Sequence, residues 1–499
     1  MKQNENICSA HGWEDRKESQ RGCSARLALN AEYSFNTPKM ITLRENQEEP
    51  IRKAIAFFQE KKPKPSLIVL PTAWGKSILT AFVAKNTTDK LIVLQPSKEL
   101  LEQNYSKYLT LCGDDFMGVN AGIYSASFNR REMAQITYAT IGSIKNLGEE
   151  FKRNGFTKML IDEAHLYPRE ADSMLGRFLK ESGITHVLGI TATPVKLQTN
   201  RDRAGETYSK LVMLTSRSKK GNFFKEIIHV GQVQEMVRLG FWSKLRYQAE
   251  GFDDSLLVFN SSKSEYTEDS VQRAYDANGG TDAILRALDS NPDRKHILAF
   301  APSVADAIAL SEHYPDSGVI YGDMDKAQRE QTIADFRAGR IRVIFNVRVL
   351  STGFDYTGID CIVLGISTAS IALYYQIIGR ATRIDPGKQD ALIIDLGGNV
   401  KRFGRVEDLH FEEGKMWRLF GTGGVLLSGI PIDQIGKYTK QDTVAIDTKQ
   451  EPPIEIMPFG KYKGERIKDI PTNYKQWMIR TFAWNSRNER LRKSIVASL

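Results

Sequence analysis

Residues 66–77, SLIVLPTAWGKS, join an apolar run to a short loop that ends in Gly-Lys-Ser. The apolar residues predict a buried strand at 66–70, and residues 78–83, which follow the loop, have the composition of a helix. A strand, a tight loop and a helix N-terminus together aim backbone N–H groups and a partial positive charge at one point. The stretch therefore predicts an α/β fold with a phosphate-binding loop at one end of a parallel sheet.

Within this loop, Lys76 is placed to reach the β- and γ-phosphates of a nucleotide, and the Ser77 hydroxyl is placed to bind Mg²⁺. The residues predicted to form the phosphate site are Thr72, Ala73, Trp74, Gly75, Lys76 and Ser77. The full motif has glycine at the position of Leu70 and commonly at that of Ala73. The geometry near Ala73 therefore stays open, and an ordinary strand-to-helix turn is the alternative for the whole stretch.

A second apolar run, Lys158–Ile161, ends in the two acids Asp162 and Glu163. At the carboxyl end of a parallel strand, such a pair lies at the crevice where α/β sheets bind ligands. Asp162 is then placed to hold Mg²⁺, and Glu163 is placed to polarise an attacking water as general base. An Asp-Glu pair after a strand is usually only a solvated loop, but its order and separation relative to Lys76 favour the catalytic interpretation.

Short apolar runs alternate with helical segments along most of the chain, a pattern typical of a parallel sheet covered by helices. The predicted strands of the first half are 66–70, 91–94, 158–161 and 186–190. Those of the second half are 296–300, 318–321, 342–345, 361–364 and 391–394. Two similar α/β domains in tandem are therefore predicted.

The second half also carries a polar motif, residues 374–383, YYQIIGRATR. On a helix, residues three or four apart share a face, so Gln376, Arg380 and Arg383 are predicted to point into one cleft. A surface helix with two solvated arginines is the alternative for this motif taken alone.

Together these motifs resemble those of the superfamily 2 DNA and RNA helicases of the DEAH-box type, as in type III restriction and excision-repair helicases, over roughly residues 43–404. The resemblance implies two tandem RecA-like domains with an ATP and Mg²⁺ site in the cleft between them. It implies that Gln47 reads adenine and that Gly353 and Asp355 approach the nucleotide. It also implies that Arg380 and Arg383 stabilise charge on the transferring phosphoryl group, with Gln376 near the attacking water.

The same resemblance implies a path for nucleic acid along both domains. Its predicted contacts are loop residues that follow strands and bind phosphates through hydroxyl or backbone groups. They are Pro96, Ser97, Thr140 and Ser143 in the first domain and Ser303, Gly322 and Thr352 in the second. Phosphate contacts of this kind carry no base readout, so we expect low sequence specificity.

The domain boundaries are predicted from breaks in this pattern. We expect a flexible N-terminal tail at 1–39, a first RecA-like domain at 40–230, a linker at 231–280 and a second RecA-like domain at 281–405. A connecting region at 406–452 and a small basic module at 453–499 follow. The module resembles a short bacterial and phage accessory domain of unknown function, and its aromatic residues are expected either to grip nucleic acid or to form a small core.

Composition and charge agree with a globular protein that binds a polyanion. The chain has 499 residues, of which 41% are hydrophobic and 26% charged, and its net charge is +9. From Pro453 onward the sequence contains ten basic and four acidic residues. No apolar run approaches the ~20 residues that span a bilayer, and the four cysteines are too few and too scattered for a disulfide framework.

The sequence therefore predicts an ATP-dependent helicase or translocase that acts on nucleic acid, more on DNA than on RNA. We expect it as a monomer in the cytoplasm of a bacterium or a phage-infected host, without a membrane partner. Two alternatives stay open. The chain could use ATP only as a switch in nucleic-acid annealing or scaffolding, or it could be the motor subunit of a restriction or repair complex.

Overall fold

The computed structural model describes most of the chain. The described residues are 42–112, 120–167, 173–201, 205–215, 222–249, 251–347, 349–351, 354, 356–414, 416–442, 456–482 and 489–499. The predicted tail at 1–39 lies outside them, as do Thr352, Gly353 and Asp355. In the described part of the chain, no helix is long and apolar enough to cross a membrane.

The first half is built around an eight-stranded sheet. Its elements are α1 (Glu48–Gln59), β1 (Ser66–Val69), α2 (Lys76–Lys85), β2 (Leu91–Leu94), α3 (Lys98–Cys112), β3 (Ala121–Ser125), β4 (Arg130–Arg131), β5 (Ile136–Ala139), α4 (Ile141–Ile144), α5 (Gly148–Arg153), β6 (Lys158–Ile161), α6 (Met174–Ser182), β7 (His186–Thr191), β8 (Val195–Arg201), β9 (Thr207–Met213), β10 (Glu226–Val230) and α7 (Val233–Arg238). The strand order is β10-β1-β7-β6-β2-β5-β3-β4, and β8 and β9 form a separate hairpin. All pairs in the sheet are parallel except β3 with β4.

The second half is built around a six-stranded sheet that is parallel throughout. Its elements are β11 (Leu245–Ala249), α8 (Glu268–Ala277), α9 (Gly280–Asp289), β12 (Ile297–Phe300), α10 (Val304–His313), β13 (Ser317–Ile320), α11 (Lys326–Arg337), β14 (Val343–Asn346), β15 (Cys361–Leu364), α12 (Ile371–Ile378), β16 (Ala391–Asp395) and α13 (Asn399–Phe403). The strand order is β11-β16-β15-β12-β14-β13. Two parallel-sheet domains in tandem are thus confirmed.

Most of the strands that the sequence revealed lie at the centres of the two sheets; the edge strand β13 was also predicted, whereas the buried inner strand β5 was not. In β1, β2 and β6, as in β12, β14 and β15, every residue is buried. Burial on both faces requires a continuous apolar run, because helices cover both sides of a parallel sheet. The crevice at the carboxyl ends of these strands is therefore lined by the residues that follow the apolar runs.

The predicted linker at 231–280 does not separate the two sheets. Its residues 245–249 form β11, which pairs in parallel with β16 at Leu245 and Ala391. The strand lies at the edge of the sheet and its residues, LRYQA, are half-buried or exposed, so they lack the apolar run of a central strand. The second sheet therefore begins at Leu245, earlier than the predicted 281.

The region after α13 is also more ordered than a connecting region. It contains the antiparallel pair β17 (His410–Glu413) and β18 (Trp417–Phe420), and the chain ends with α14 (Thr472–Thr481) and α15 (Glu489–Ala497). Residues 404–442, called here the bridging segment, contact both halves. Tyr374 donates to the Gly404 carbonyl at 2.8 Å, and the Gln232 amide forms two hydrogen bonds with the Phe411 backbone at 2.7 and 3.0 Å. The predicted connecting region therefore ties the two sheets together.

Candidate active site

The loop between β1 and α2 has the strained backbone that a phosphate-binding turn needs. Gly75 is the N-cap of α2 with φ +101°, and a Cβ there would lie 2.7 Å from Nε2 of Gln47. Only glycine fits this position, because both the conformation and the close contact exclude a side chain. Ala73 also has a positive φ, +57°, at the position where the motif commonly has glycine.

Lys76 and Glu163 form an ion pair at the mouth of this loop. The distance from Lys76 Nζ to Glu163 Oε1 is 2.9 Å, and both side chains are largely shielded, with 15% and 18% of their surface exposed. The two residues come from different strand ends, after β1 and β6, which are separated in the sheet only by β7. The structure therefore brings the predicted lysine and general base into direct contact.

Asp162 lies deeper than Glu163 and is 4% exposed. One of its carboxylate oxygens accepts from the Glu163 backbone N–H at 2.9 Å, and the other accepts from Asn104 Nδ2 at 3.2 Å. Burial, together with the neighbouring Glu163 carboxylate, raises the pKa of Asp162 to about 6. Burial also acts to raise the pKa of Glu163, but Lys76, His165 and Arg380 outweigh it, so the pKa of Glu163 is lowered.

His165 joins the acidic pair to the second half of the chain. Its Nε2 lies 3.2 Å from Nε2 of Gln376, and its Nδ1 lies 2.8 Å from Oγ1 of Thr191 at the end of β7. Because the Gln376 amide nitrogen can only donate, His165 Nε2 accepts and the ring proton is on Nδ1. The Thr191 hydroxyl also accepts from the Thr193 backbone N–H at 3.0 Å. A continuous chain of hydrogen bonds thus crosses the cleft.

The second half also contacts the phosphate-binding loop directly, at Thr72. The Thr72 N–H donates to the Tyr375 hydroxyl at 3.3 Å, and the Thr72 carbonyl accepts from Trp242 Nε1 at 2.9 Å. A Cβ on Gly379 would lie 2.8 Å from the Thr72 side chain. The cleft is therefore closed at this point, with α12 packed on the loop.

The two arginines do not lie on a helix face with Gln376. Helix α12 ends at Ile378, and its C-cap is Gly379. The chain continues in tight turns, in which Arg380 N donates to Ile377 O at 3.0 Å and the Thr382 hydroxyl donates to Gly379 O at 3.0 Å. Glycine ends the helix because it is a poor helix former, so the predicted helix face is wrong beyond Gln376.

The charge of Arg380 nevertheless contributes to the lowered pKa of Glu163, after the larger effects of Lys76 and His165. Its Nη1 donates to the Phe354 carbonyl at 2.8 Å, which fixes the guanidinium against the loop after β14. Arg383 ends the same turn, and its carbonyl accepts from the Ser243 hydroxyl at 2.7 Å. The turn, rather than a helix, positions both arginines.

Lys388 holds this turn and was not predicted from the sequence. Its Nζ lies within hydrogen-bonding distance of four carbonyl oxygens, those of Thr357 at 3.3 Å, Ile359 at 2.9 Å, Ala381 at 2.8 Å and Arg383 at 2.5 Å. Burial lowers the pKa of Lys388 to about 8. The position follows a Pro-Gly turn, which marks a loop in the sequence but does not indicate that its lysine is buried.

Gln47 is almost fully buried, and its amide is bound within the first domain. Its Oε1 accepts from the Arg44 backbone N–H at 2.9 Å, and its Nε2 donates to the Trp74 carbonyl at 2.7 Å. The Arg44 guanidinium donates to the Ala73 carbonyl at 3.1 Å and lies 4.7 Å from the centroid of the Phe241 ring. The predicted adenine-reading residue therefore supports the phosphate-binding loop in this structure.

The predicted nucleic-acid residues of the first domain follow adjacent strands. Pro96 and Ser97 follow β2, and Thr140 follows β5, which pairs with β2 in parallel. The Ser97 hydroxyl accepts from Leu100 N at 3.3 Å, and the hydroxyls of Thr140 and Ser143 are 2.9 Å apart. These side chains are partly exposed, and they follow the carboxyl ends of neighbouring strands.

The predicted residues of the second domain that the structure describes also follow the carboxyl ends of strands. Ser303 follows β12 and caps α10 by accepting from Asp306 N at 3.2 Å. Gly322 follows β13, is exposed, and its carbonyl accepts from Arg329 at 2.7 Å. Thr352, with Gly353 and Asp355, falls outside the described residues.

Ser77 and Asp162 fit a Mg²⁺ ion that is shared with nucleotide phosphates. In the described ranges, no group of three or more His, Cys, Asp or Glu side chains forms a metal cage. Mg²⁺ usually takes one or two carboxylates together with waters and substrate phosphates, so a cage is not needed. Asp162 supplies the buried carboxylate, and Ser77 lies in the first turn of α2.

Comparisons with known proteins agree with this arrangement. Residues 40–196 match the family described as "Type III restriction enzyme, res subunit", and residues 280–385 match the "Helicase conserved C-terminal domain". The first range contains Lys76, Asp162 and Glu163, and the second ends just after Arg383. The chain contains a superfamily 2 helicase core.

Relatives of this helicase core are distant but cover most of it. The chain is 24% identical over 381 residues to "Putative mitochondrial ATP-dependent helicase irc3" of Schizosaccharomyces pombe, with 72% of this chain and 58% of that protein covered. It is 24% identical over 385 residues to "DNA 3'-5' translocase XPB2" of Sulfurisphaera tokodaii, covering 71% and 81%. A "51.5 kDa protein" of Lactococcus phage (isolate 7-9) is 24% identical over 372 residues, covering 72% and 70%.

The chain thus spans 58% of the Schizosaccharomyces relative, and only 51% of a second yeast helicase, IRC3 of Saccharomyces cerevisiae. Among solved structures, a fragment of an HsdR subunit of a type I restriction enzyme from Vibrio vulnificus has the same core fold, with a TM-score of 0.52, 18% identity, and 74% of this chain and 67% of that chain covered. Outside the helicase core, residues 454–483 match the family described as "Putative quorum-sensing-regulated virulence factor".

Proposed function

We propose that this chain hydrolyses ATP in the cleft between its two sheets and uses the hydrolysis to move along nucleic acid. The observation that carries the proposal is the contact across the cleft, in which His165, next to the Lys76–Glu163 pair, bonds to Gln376 of the second domain. A site assembled from both domains changes whenever the domains move. ATP binding and domain closure are therefore coupled.

The first domain supplies the groups that bind the nucleotide phosphates and activate the attacking water. The N–H groups at the start of α2 and the Lys76 ammonium bind the phosphates, while Gln47 and Arg44 lie next to the loop on the side proposed for adenine. Ser77 and Asp162 would hold Mg²⁺, which when bound would shield the phosphate charge. Glu163 polarises the attacking water, and its lowered pKa keeps the carboxylate ionised at neutral pH.

The second domain supplies the groups that stabilise the transferring phosphoryl. Arg380 and Arg383 provide positive charge, and Gln376 orients the attacking water. Gly353 and Asp355, which lie outside the described residues, contact the nucleotide in this proposal. The closed contact of Gly379 and Tyr375 with Thr72 supports this assignment, because it holds the arginine turn beside the phosphate-binding loop.

The Lys76–Glu163 ion pair makes the site a switch. Lys76 cannot pair fully with both Glu163 and a phosphate, so phosphate binding frees the Glu163 carboxylate to act as base. Hydrolysis and phosphate release restore the pair. Repeated opening and closing then changes the distance between the two nucleic-acid grips, Pro96, Ser97, Thr140 and Ser143 on one domain and Ser303, Gly322 and Thr352 on the other, and this gives net steps.

DNA is the proposed track. The relative named as a DNA translocase is matched over 81% of its length, and the family matched by residues 40–196 is described as a restriction enzyme subunit. The phage relative supports a setting in the cytoplasm of a bacterium or a phage-infected host. The restriction family also favours a second candidate function, that of a motor subunit which works with a nuclease.

An ATPase assay with single-stranded DNA, duplex DNA and RNA side by side tests the proposal, together with a displacement assay on tailed duplexes. We expect DNA to stimulate hydrolysis and Lys76→Ala to abolish it. A half-buried lysine of the same domain, Lys53, which pairs with Glu49, gives the matched control Lys53→Ala, which should hydrolyse ATP at the wild-type rate. ATP binding without DNA-stimulated turnover would instead favour the annealing or scaffolding role, and co-purification with a nuclease would favour the restriction role.

A further inference from the structure

The described residues after 455 fold around a small core of their own. Its buried side chains are Met457, Ile467, Ile470, Met478, Leu491 and Ile495. Lys475 is only 2% exposed, and its ammonium donates to the Ser498 carbonyl at 2.7 Å, which fastens α14 to the end of α15. The module therefore holds its surface residues in fixed positions.

Three aromatic side chains form a row in this module, in which Tyr462 and Tyr474 are half-buried against the core and Trp477 is exposed. Tyr462 and Tyr474 have ring centroids 4.7 Å apart, and Tyr474 and Trp477 have centroids 5.4 Å apart. Tyr474 and Trp477 are three residues apart on α14 and so lie on the same side of the helix, next to the side that buries Lys475 and Met478. Trp477 is 52% exposed, although large aromatic side chains usually bury most of their surface.

The row is surrounded by positive charge. Residues 456–482 contain six basic and two acidic residues. Five of the basic side chains are exposed, namely Lys461, Lys463, Arg466, Lys468 and Arg480. The Lys461 ammonium lies 5.4 Å from the Tyr462 ring centroid, which places it at the end of the aromatic row. The surface therefore combines flat apolar rings with a basic rim.

We propose that the Tyr462–Tyr474–Trp477 row and its basic rim bind single-stranded nucleic acid, as a third grip beside the two on the helicase core. Exposed rings stack on unpaired bases without regard to sequence, and lysines and arginines follow the phosphates. A duplex offers no unstacked base to Trp477. A protein partner fits less well, because the centres of protein interfaces are depleted of lysine. The inference rests on the proposed function only in assuming the same polymer as track.

Fluorescence anisotropy with a labelled oligo(dT) of 20 nucleotides and the full chain, without nucleotide, tests this directly. We expect Trp477→Ala to weaken binding by roughly tenfold, since stacking on one ring accounts for an effect of this order. Trp477→Phe keeps a ring and should recover most of the affinity. Val496, which is 51% exposed in the same module, gives the control Val496→Ala, expected to bind as wild type. Equal affinities for all four proteins would overturn the proposal.

A second variant removes charge and leaves the aromatic row intact. Lys461→Gln combined with Lys463→Gln should lower the slope of log affinity against log salt by about 1.4, at roughly 0.7 for each phosphate of a single strand that the protein no longer neutralises. If Trp477→Ala proves to destabilise the module, this salt dependence tests the proposal in its place. An unchanged slope would overturn the proposal, as would equal losses of oligo(dT) and blunt-duplex binding in Trp477→Ala.

The outcomes separate this inference from the proposed function. In the ATPase assay, Trp477→Ala should keep the wild-type maximal rate at saturating DNA but need more DNA to reach half of it. If the wild type shows no DNA-stimulated hydrolysis yet loses oligo(dT) affinity in Trp477→Ala, the motor proposal fails and this grip stands. If hydrolysis is stimulated equally in both proteins at every DNA concentration, only the grip fails.

Discussion

The two sides of the proposed ATP cleft are held in place in different ways. On the first domain, Lys76, Asp162 and Glu163 follow central strands and bond to one another or to Asn104. On the second domain, the arginines lie in a turn beyond the end of α12, and backbone carbonyls bound by Lys388 and Arg380 keep that turn in shape. The first side is fixed by the sheet, whereas the second depends on a small network that a single substitution can disturb.

Of the substitutions considered, Arg380→Ala, on the second side of the cleft, should have the largest effect. We expect the rate of ATP hydrolysis to fall by about 10³ or more, because an arginine that stabilises phosphoryl charge has effects of this size. Arg380→Lys should recover little, since an ammonium cannot replace the planar guanidinium. Single-turnover hydrolysis measures the effect, and Arg273→Ala, on an exposed arginine, is the control. A rate within a factor of three of wild type would remove Arg380 from the site.

Glu163→Gln alters the first side of the cleft. We expect it to lower the rate of ATP hydrolysis by about 10² to 10³, the range typical of a lost general base. Because the substitution also removes the Lys76 ion pair, the affinity for ATP should stay the same or rise. Equilibrium binding of a fluorescent ATP analogue and steady-state hydrolysis together measure this pattern. Glu149→Gln, on a side chain that is 65% exposed, is the control. Loss of ATP binding together with rate would contradict the assignment of Glu163 as base.

Gly379→Ala tests the contact between the two sides. Its Cβ would lie 2.8 Å from the Thr72 side chain, so the closed arrangement is disfavoured, and we expect about a tenfold lower rate from the cost of one overpacked methyl group. Gly251→Ala is the matched control, since no atom lies within 4 Å of a Cβ there. Hydrolysis at saturating ATP measures the effect. Equal rates in the two variants would show that this contact is not part of the reactive state.

Lys388 gives the smallest effect, one that depends on pH. Its lowered pKa of about 8 means that the folded protein loses the ammonium as the pH rises through about 8, while the unfolded chain keeps it to higher pH. By linkage, the stability of the fold therefore does not fall in this range. A neutral amine has one N–H fewer for the carbonyls of the arginine turn, so we expect the hydrolysis rate to fall several-fold above pH 8.

Lys388→Arg sharpens this test, because a guanidinium stays charged throughout the range. The fall above pH 8 should be absent from its pH profile, and the melting temperatures of both proteins, followed over the same pH range, serve as the control for folding. A wild-type profile that is flat between pH 7 and 9.5 would show that the turn does not need the charge.

The features that could be predicted from the sequence are the buried central strands and the residues that directly follow them. Buried runs such as Lys158–Ile161 must be apolar on both faces, so they and the residues that follow them stand out, and Lys76, Asp162 and Glu163 were placed in this way. The edge strand β11 and the end of α12 were missed, because half-buried residues and a single glycine give weak local signals. His165 was missed because its partner Gln376 is far away along the chain, and Lys388 was missed because its role depends on burial and on backbone carbonyls, which the sequence does not mark.

The bridging segment sets a limit on how far the two domains can separate. Glu407 accepts from the Tyr247 hydroxyl of the second sheet at 2.6 Å, and four residues later Phe411 is held by Gln232 beside the first sheet. Four residues reach at most about 14 Å even when fully extended. Any wider separation of the two domains must first release one of these anchors, so their movement is bounded by a short piece of chain outside the cleft.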